Sequence, residues 1–304
     1  MPASPAYYPV IILSDLHLGI RNNAAGMLAE FLNNTRCDTL ILNGDVIDGT
    51  RRGNRHVGKF PEEQKQILDI LNRKIAEGTK IYYLPGNHDA SLRNGGILGK
   101  NIFGIEFARS LDFTDPKQRR FLIAHGDNFS GDVVPPEPKR TRKTVFRDYF
   151  YTIATGASAR MDGISSRLFQ HHIGLASKVR TAIETRSGLK ERYVQTGLKH
   201  AHKHSYDGVI YGHFHMPEIA TDKAGKTYMN SGDWMENFSA LTLDAKGSWS
   251  VVKWPELRRK MKLSGTFNAV SADAGTRKFR PQTEKMVAAI EKVWPSPKRS
   301  FRPR

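Results

Sequence analysis

Two short runs in the chain set paired donors on one side of an extended backbone. "SDLHLG" carries Asp15 and His17, and "DGVIYGHFHMPE" carries His213 and His215. Residues i and i+2 of an extended segment point the same way, so each pair can address one small volume, as metal ligands do. More donors stand in "NGDVID" (Asp45), "PGNHD" (Asn87, His88, Asp89) and "AHGD" (His125). With His88 and Asp89 set aside, the collection is two Asp, one Asn amide oxygen and four His, with no thiolate. Carboxylate mixed with imidazole suits borderline divalent ions such as Mn²⁺, Fe²⁺ or Zn²⁺. Seven donors exceed what one ion with an open catalytic position takes. They suit two ions that share a bridging carboxylate.

Each of these runs ends a strand pattern. Strands are expected at Val10 to Leu13, Thr39 to Leu42, Lys80 to Leu84 and Phe121 to Ala124, with β-branched and aromatic Val209, Ile210 and Tyr211 forming a fifth. Helices are expected at about Ala24 to Asn33 and Glu63 to Ala76; in the second, Ile67, Ile70, Leu71 and Ile75 keep helical spacing and Gly78 stops it. Alternating strands and helices predict an α/β sheet, whose ligands sit in the crevice outside the strand ends. Residues 129–206 interrupt the rhythm with two or three helical stretches, roughly Thr144 to Ala157, Ile164 to Arg186 and Glu191 to His202. Strands resume through Thr227 to Met229, Ser239 to Leu243 and Trp249 to Trp254.

The net charge of +17 is concentrated. Residues 139–204 hold 14 Lys/Arg against 4 Asp/Glu, and residues 258–304 hold 13 against 3. Both blocks attract anionic partners: nucleic acid, acidic lipid surfaces or phosphorylated substrates. The expected division is therefore a catalytic domain of residues 1–128 and 207–257, a helical cap of residues 129–206, and a basic C-terminal tail of residues 258–304. That tail reads as loosely ordered apart from an amphipathic piece with Met286, Val287, Ile290, Val293 and Trp294, a face suited to an anionic membrane or to packing back on the core. The single cysteine, Cys37, fits a reducing compartment. With neither a signal peptide nor a spanning run evident, a cytoplasmic location is expected, peripheral on the inner face of the membrane.

In order, D-x-H, G-D, G-N-H-D, H-G-D and G-H-x-H resemble the blocks of the calcineurin-like metallophosphoesterases. The resemblance implies a four-layer αββα sandwich and two divalent ions, Mn²⁺ first among them. Asp15, His17 and His215 would hold one ion, Asn87, His125 and His213 the other, and Asp45 would bridge them. His88 would act from outside the coordination sphere on the phosphoryl oxygen and leaving group, oriented by Asp89. The basic insertion and "NSGDW" at residues 230–234 are similar to the UDP-2,3-diacylglucosamine diphosphatase branch of lipid A synthesis. That branch usually carries Arg where this chain has His88. The implied substrate is a lipid-linked or nucleotide phosphoester or pyrophosphate, with a metal-dependent nuclease as the rival reading.

Smaller signals complete the inventory. Arg51, Arg52 and Arg55 are candidates for diphosphate contacts through guanidinium geometry. Asp48 falls in the same stretch, either toward substrate or in a solvated loop. Asn230 and Asp233 either support the metal site or make a turn. His200, His202 and His204 read as cations at a helix end.

Overall fold

The computed structural model describes residues 4–19, 24–48, 62–129, 188–263 and 278–293. The chain divides into two compact units, Met1–Asp127 with Ala201–Arg304, and Asn128–His200.

The first unit is built on two sheets. One has seven strands: β1 (Ala6–Leu13), β2 (Thr35–Leu42), β3 (Lys80–Tyr83), β4 (Asn101–Ile102), β5 (Ile105–Phe107), β11 (Ser239–Leu243) and β12 (Trp249–Lys253), in the order β12-β11-β1-β2-β3-β5-β4. The other has five: β6 (Leu111–Thr114), β7 (Arg120–Ile123), β8 (Gly208–Tyr211), β9 (Glu218–Thr221) and β10 (Thr227–Asn230), in the order β6-β7-β8-β10-β9. Among the described residues the helices are α1 (Ala25–Asn33), α2 (Glu62–Ala76), α3 (Ser91–Asn94), α4 (Leu189–Lys203, most of which belongs to the second unit), α5 (Trp254–Lys260) and α6 (Arg280–Val293).

Strand periodicity explains the layering. Successive side chains alternate faces, so Ile11, Leu13, Leu40, Leu42, Ile81 and Tyr83 join a core with Leu28, Phe31 and Leu32 of α1 and Ile67, Ile70 and Leu71 of α2. The intervening Val10, Ile12 and Ile41 instead meet Phe121, Ile123, Ile210 and Met229 of the second sheet. The inner strands are thus buried on both faces, which is why they read as continuous apolar runs. Parallel register levels their ends: Leu13 pairs with Leu42, Leu42 with Tyr83, and Ile123 with Ile210. Polar loops therefore leave each sheet along one edge.

The expected amphipathic piece of the tail forms α6 and packs back on the core, and α5 leads into the tail. Trp254 of α5 is fully buried and donates its indole N–H to Glu30 at 3.1 Å. Met286 and Val287 of α6 are buried in the α1/α2 core, with Ile290 packed against it. That apolar face is covered by protein and is not presented to a membrane. Trp294 and Phe301 lie outside the described residues, as do the expected helices at Thr144 to Ala157 and Ile164 to Arg186. No helix among the described residues is long and apolar enough to cross a membrane.

Candidate metal centre

The loops after β1 and β2 continue the parallel ladder beyond the strands. Asp15 N–H donates to Gly44 O at 3.0 Å, His17 N–H to Asp45 O at 2.9 Å, and Leu18 N–H to Val46 O at 2.8 Å. This zipper fixes where Asp15, His17 and Asp45 stand. The backbone is not the extended one expected for the Asp15/His17 and His213/His215 pairs. Asp15, His17, Asp45, His213 and His215 all have positive φ, between 47° and 61°, a region that non-glycine residues seldom adopt. Five such residues in one bay mark stored strain of the kind found at functional sites.

Three close triads result, one of them His17, Asp48 and His88. Asp15, His17 and His215 bring their ligand atoms within 4.8 Å of one another, and so do Asp45, His125 and His213. His215 Nε2 lies 3.0 Å from Asp15 Oδ1, and His125 Nε2 lies 3.3 Å from Asp45 Oδ2. Asn87 Oδ1 is 3.3 Å from the same His125 nitrogen. Asp45 Oδ1 also accepts the His88 backbone N–H at 2.7 Å, which ties the third loop to the second. Close approach here needs glycine: a Cβ on Gly86 would stand 2.2 Å from Asp45 Oδ1 and 2.6 Å from Asp45 N.

The donors suit divalent cations. His125 Nδ1–H donates to Asn43 O at 2.9 Å, which fixes the tautomer and turns Nε2 toward the bay. Burial opposes a charge on His125, but the hydrogen bond with Asp45 and the nearby Asp15 carboxylate hold its pKa up to about 9. Burial, then the charge on His125, push His213 down to about 4, leaving a neutral imidazole. Burial would raise Asp15 and Asp45, yet His215 lowers the first and His125 the second, so both are carboxylates. Buried carboxylates interleaved with imidazoles at this spacing fit ions that prefer mixed O and N donors.

Asp48 takes the place beside His88 that was expected of Asp89. Asp48 is buried and stands 3.1 Å from His88 Nδ1 and 3.5 Å from His17 Nδ1, so it belongs to the bay and not to a solvated loop. Its hydrogen bond raises the His88 pKa against burial, favouring the imidazolium. Asp89, expected to orient His88, turns into the core. Its Oδ2 accepts the Tyr83 hydroxyl at 2.6 Å and Val46 N–H at 2.9 Å, and its Oδ1 accepts Gly86 N–H. It braces the loops that carry Asp45 and Asn87.

"NSGDW" does both things considered for it. Asn230 holds the Gly212 carbonyl at 2.7 Å, just before His213. Asp233 makes the turn by accepting Met235 N–H at 2.7 Å, and its Oδ2 lies 3.9 Å from His215 Nδ1. Asn237, which follows that stretch, donates to the His215 carbonyl at 2.7 Å. His202 pairs with Asp222 at 2.7 Å on the surface. Arg51, Arg52 and Arg55 fall outside the described residues. Sequence reading missed Asn43 and Arg93 altogether; only their positions beside the G-D and G-N-H-D blocks could have drawn attention to them.

The sequence profile described as calcineurin-like phosphoesterase matches residues 8–217. A protein of Stenotrophomonas maltophilia named UDP-2,3-diacylglucosamine hydrolase is 26% identical over 255 residues, covering 79% of this chain and 96% of that protein. One of the same name from Chromohalobacter salexigens is 24% identical, covering 74% and 88%. Among solved structures, a dimetal phosphatase from Danio rerio aligns over 83% of this chain and 100% of its own, at 14% identity and a TM-score of 0.38.

Proposed function

Given that the chain belongs to the calcineurin-like phosphoesterase family and is a hydrolase, we propose that it cleaves the pyrophosphate bond of UDP-2,3-diacylglucosamine, releasing UMP and the acylated sugar 1-phosphate. The observation that carries this reading is the coverage of the relatives so named, up to 96% of their length and 79% of this chain.

Asp15, His17 and His215 would hold one ion and Asn87, His125 and His213 the other, with Asp45 between them. When bound, the two divalent ions, Mn²⁺ by preference, supply a nucleophile at neutral pH and draw charge from the phosphoryl oxygens. The chain supplies the rest. Asp48 accepts the Nδ1 proton of His88 and so leaves Nε2 on the bay side, 3.9 Å from Asp45 Oδ2, where its proton can pass to the leaving oxygen. Asp89 keeps the Asn87 and Asp45 loops in register. Residues 129–206 would select acylated substrates, given their basic charge and interleaved Phe, Tyr and Leu. Arg51, Arg52 and Arg55 would meet the diphosphate. The enzyme would work in the cytoplasm at an anionic membrane surface, drawn there by its basic segments and not by the covered face of α6.

His88 favours one alternative, another lipid-linked or nucleotide phosphodiester, because the lipid A branch usually has Arg there. Purified Mn²⁺-loaded protein should release UMP from UDP-2,3-diacylglucosamine and stop on chelation. Cleavage of bis(p-nitrophenyl) phosphate without UMP release would reject the substrate and leave the family activity standing. Cleavage of single-stranded DNA or RNA at low salt would turn the assignment toward a nuclease.

A further inference from the structure

Arg93 lies on α3, a single turn that follows the G-N-H-D block. Its guanidinium makes three directed bonds. Nε–H donates to the Pro85 carbonyl at 2.8 Å, Nη1–H to Asp127 Oδ2 at 2.7 Å, and Nη2–H to Asp127 Oδ1 at 2.6 Å. Pro85 precedes Asn87 by two residues, and Asp127 follows His125 by two. One planar group therefore joins the loop that carries Asn87 to the loop that carries His125. These are the two side chains whose Oδ1 and Nε2 approach to 3.3 Å.

We propose that Arg93 is the positioning residue for one half of the metal centre, the half formed by Asn87, His125 and His213; this rests on the two-ion reading above. Two features argue for it. The pair is mostly buried, with 12% of each side chain exposed, so the fork is held in place and not frayed by solvent. Both Asp127 oxygens are also turned to Arg93, which keeps a carboxylate two residues from His125 from swinging in as a competing ligand. A lysine has neither the fork nor the third donor direction toward Pro85. The other half-site has separate supports: the Asp15–Gly44 ladder bond at 3.0 Å and the Asn237 bond to the His215 carbonyl at 2.7 Å. The effect of losing Arg93 is therefore one-sided.

The test is Mn²⁺ titration of full-length metal-free wild type, Arg93→Ala and Arg93→Lys, by equilibrium dialysis and by the electron paramagnetic resonance signal of coupled against isolated Mn²⁺. Wild type should take two equivalents. Each variant should take the first with unchanged affinity and the second about 10- to 100-fold more weakly, the range for loss of a group that supports a ligand. Isolated-ion signal should replace the coupled signal at intermediate Mn²⁺. Hydrolysis of bis(p-nitrophenyl) phosphate should fall at limiting Mn²⁺ and return at saturation, which general misfolding would not allow. Wild-type affinity for both equivalents in the variants, or equal weakening of both, overturns the proposal. Fewer than two equivalents in wild type overturns the two-ion reading itself. Should Arg93→Ala fail to fold, Arg93→Lys, which keeps stem and charge, carries the same test.

Discussion

The metal bay and the seam between α2 and α6 both bury charge brought from distant parts of the chain, and they treat it in opposite ways. In the seam each group meets its complement. Buried Asp69 faces Arg280 Nη2 at 2.7 Å, Arg280 also pairs with Glu62, Asn72 donates to Thr283 Oγ1 at 3.1 Å, and Lys65 meets Glu284 at 2.8 Å. No residue described in the seam has positive φ. In the bay, Asp15, Asp45 and Asp48 crowd together among imidazoles, and five residues hold a left-handed backbone. Its carboxylates face imidazoles and backbone N–H groups, His88 N–H on Asp45 and His213 N–H on Asp15, a donor set that a bound cation would complete. The seam is arranged for stability, and the bay for something that arrives from solution.

The sharpest way to break this contrast is Asp45→Asn, which keeps shape and removes charge. Loss of groups that merely support a ligand costs 10- to 100-fold, so loss of the ligand proposed to be shared should cut bis(p-nitrophenyl) phosphate hydrolysis by more than about 100-fold. In metal-free buffer the variant should melt only slightly lower than wild type, because, against burial, His125 and the His88 N–H hold the Asp45 pKa down, and asparagine keeps the hydrogen-bonding shape but not the charge. The rise in Tm that Mn²⁺ gives wild type should shrink. A metal-free Tm several degrees lower would mean that the bay, too, is built for stability. Gly86→Ala should strike both properties. Its Cβ would stand 2.6 Å from Asp45 N and 2.7 Å from His125 Cδ2, so two ligand loops must move. Activity should fall about 10- to 100-fold, and stability by about 1–3 kcal/mol on chemical denaturation.

What the sequence disclosed follows the same divide. Val10 to Leu13 and Thr39 to Leu42 were legible because strands buried on both faces leave an apolar run, and the ligands stand directly after them. Three of the edge strands were not: β4 is two residues long, and β6 and β9 alternate half-buried with exposed positions, whereas β12, also at an edge, was expected at Trp249 to Trp254. The resemblance made Asp89 the partner of His88, but the turn at residues 88–90 carries its carboxylate into the core, where it meets Tyr83. Asp48 acquires its role only from His17 and His88, on two other loops, so local pattern left it undecided. The period of α6 was plain from Met286, Val287 and Ile290, yet a period says that a face is apolar, not whether protein or lipid covers it.

Breaking the seam should leave chemistry alone. Arg280→Ala leaves the buried Asp69 carboxylate without its cation; because Arg280 is about a quarter exposed, the cost should fall below the range for a fully buried pair, at about 2 kcal/mol on urea denaturation. Metal stoichiometry and the rate at saturating Mn²⁺ should match wild type. A loss of metal in this variant would show that the seam and the bay are coupled.

The smallest effect reads the contrast from a third position. Cys37, the one cysteine, lies buried on the helix-facing side of β2, in the same core as α2. Burial pushes its thiol up to about 11, with Lys74 opposing. At pH 8 the native thiolate is then only about one part in a thousand, whereas an exposed cysteine near its ordinary value is roughly a quarter ionised. Labelling of native protein by a disulfide reagent should therefore be slow at pH 8 and proceed through opening of the helical layer. The about 2 kcal/mol lost in Arg280→Ala should raise the open population, and with it the labelling rate, by about 30-fold. Asp45→Asn, metal-free, should label no faster than metal-free wild type, since the bay lies outside that layer. Equal acceleration in both variants would erase the distinction between a region built to hold and a region built to bind.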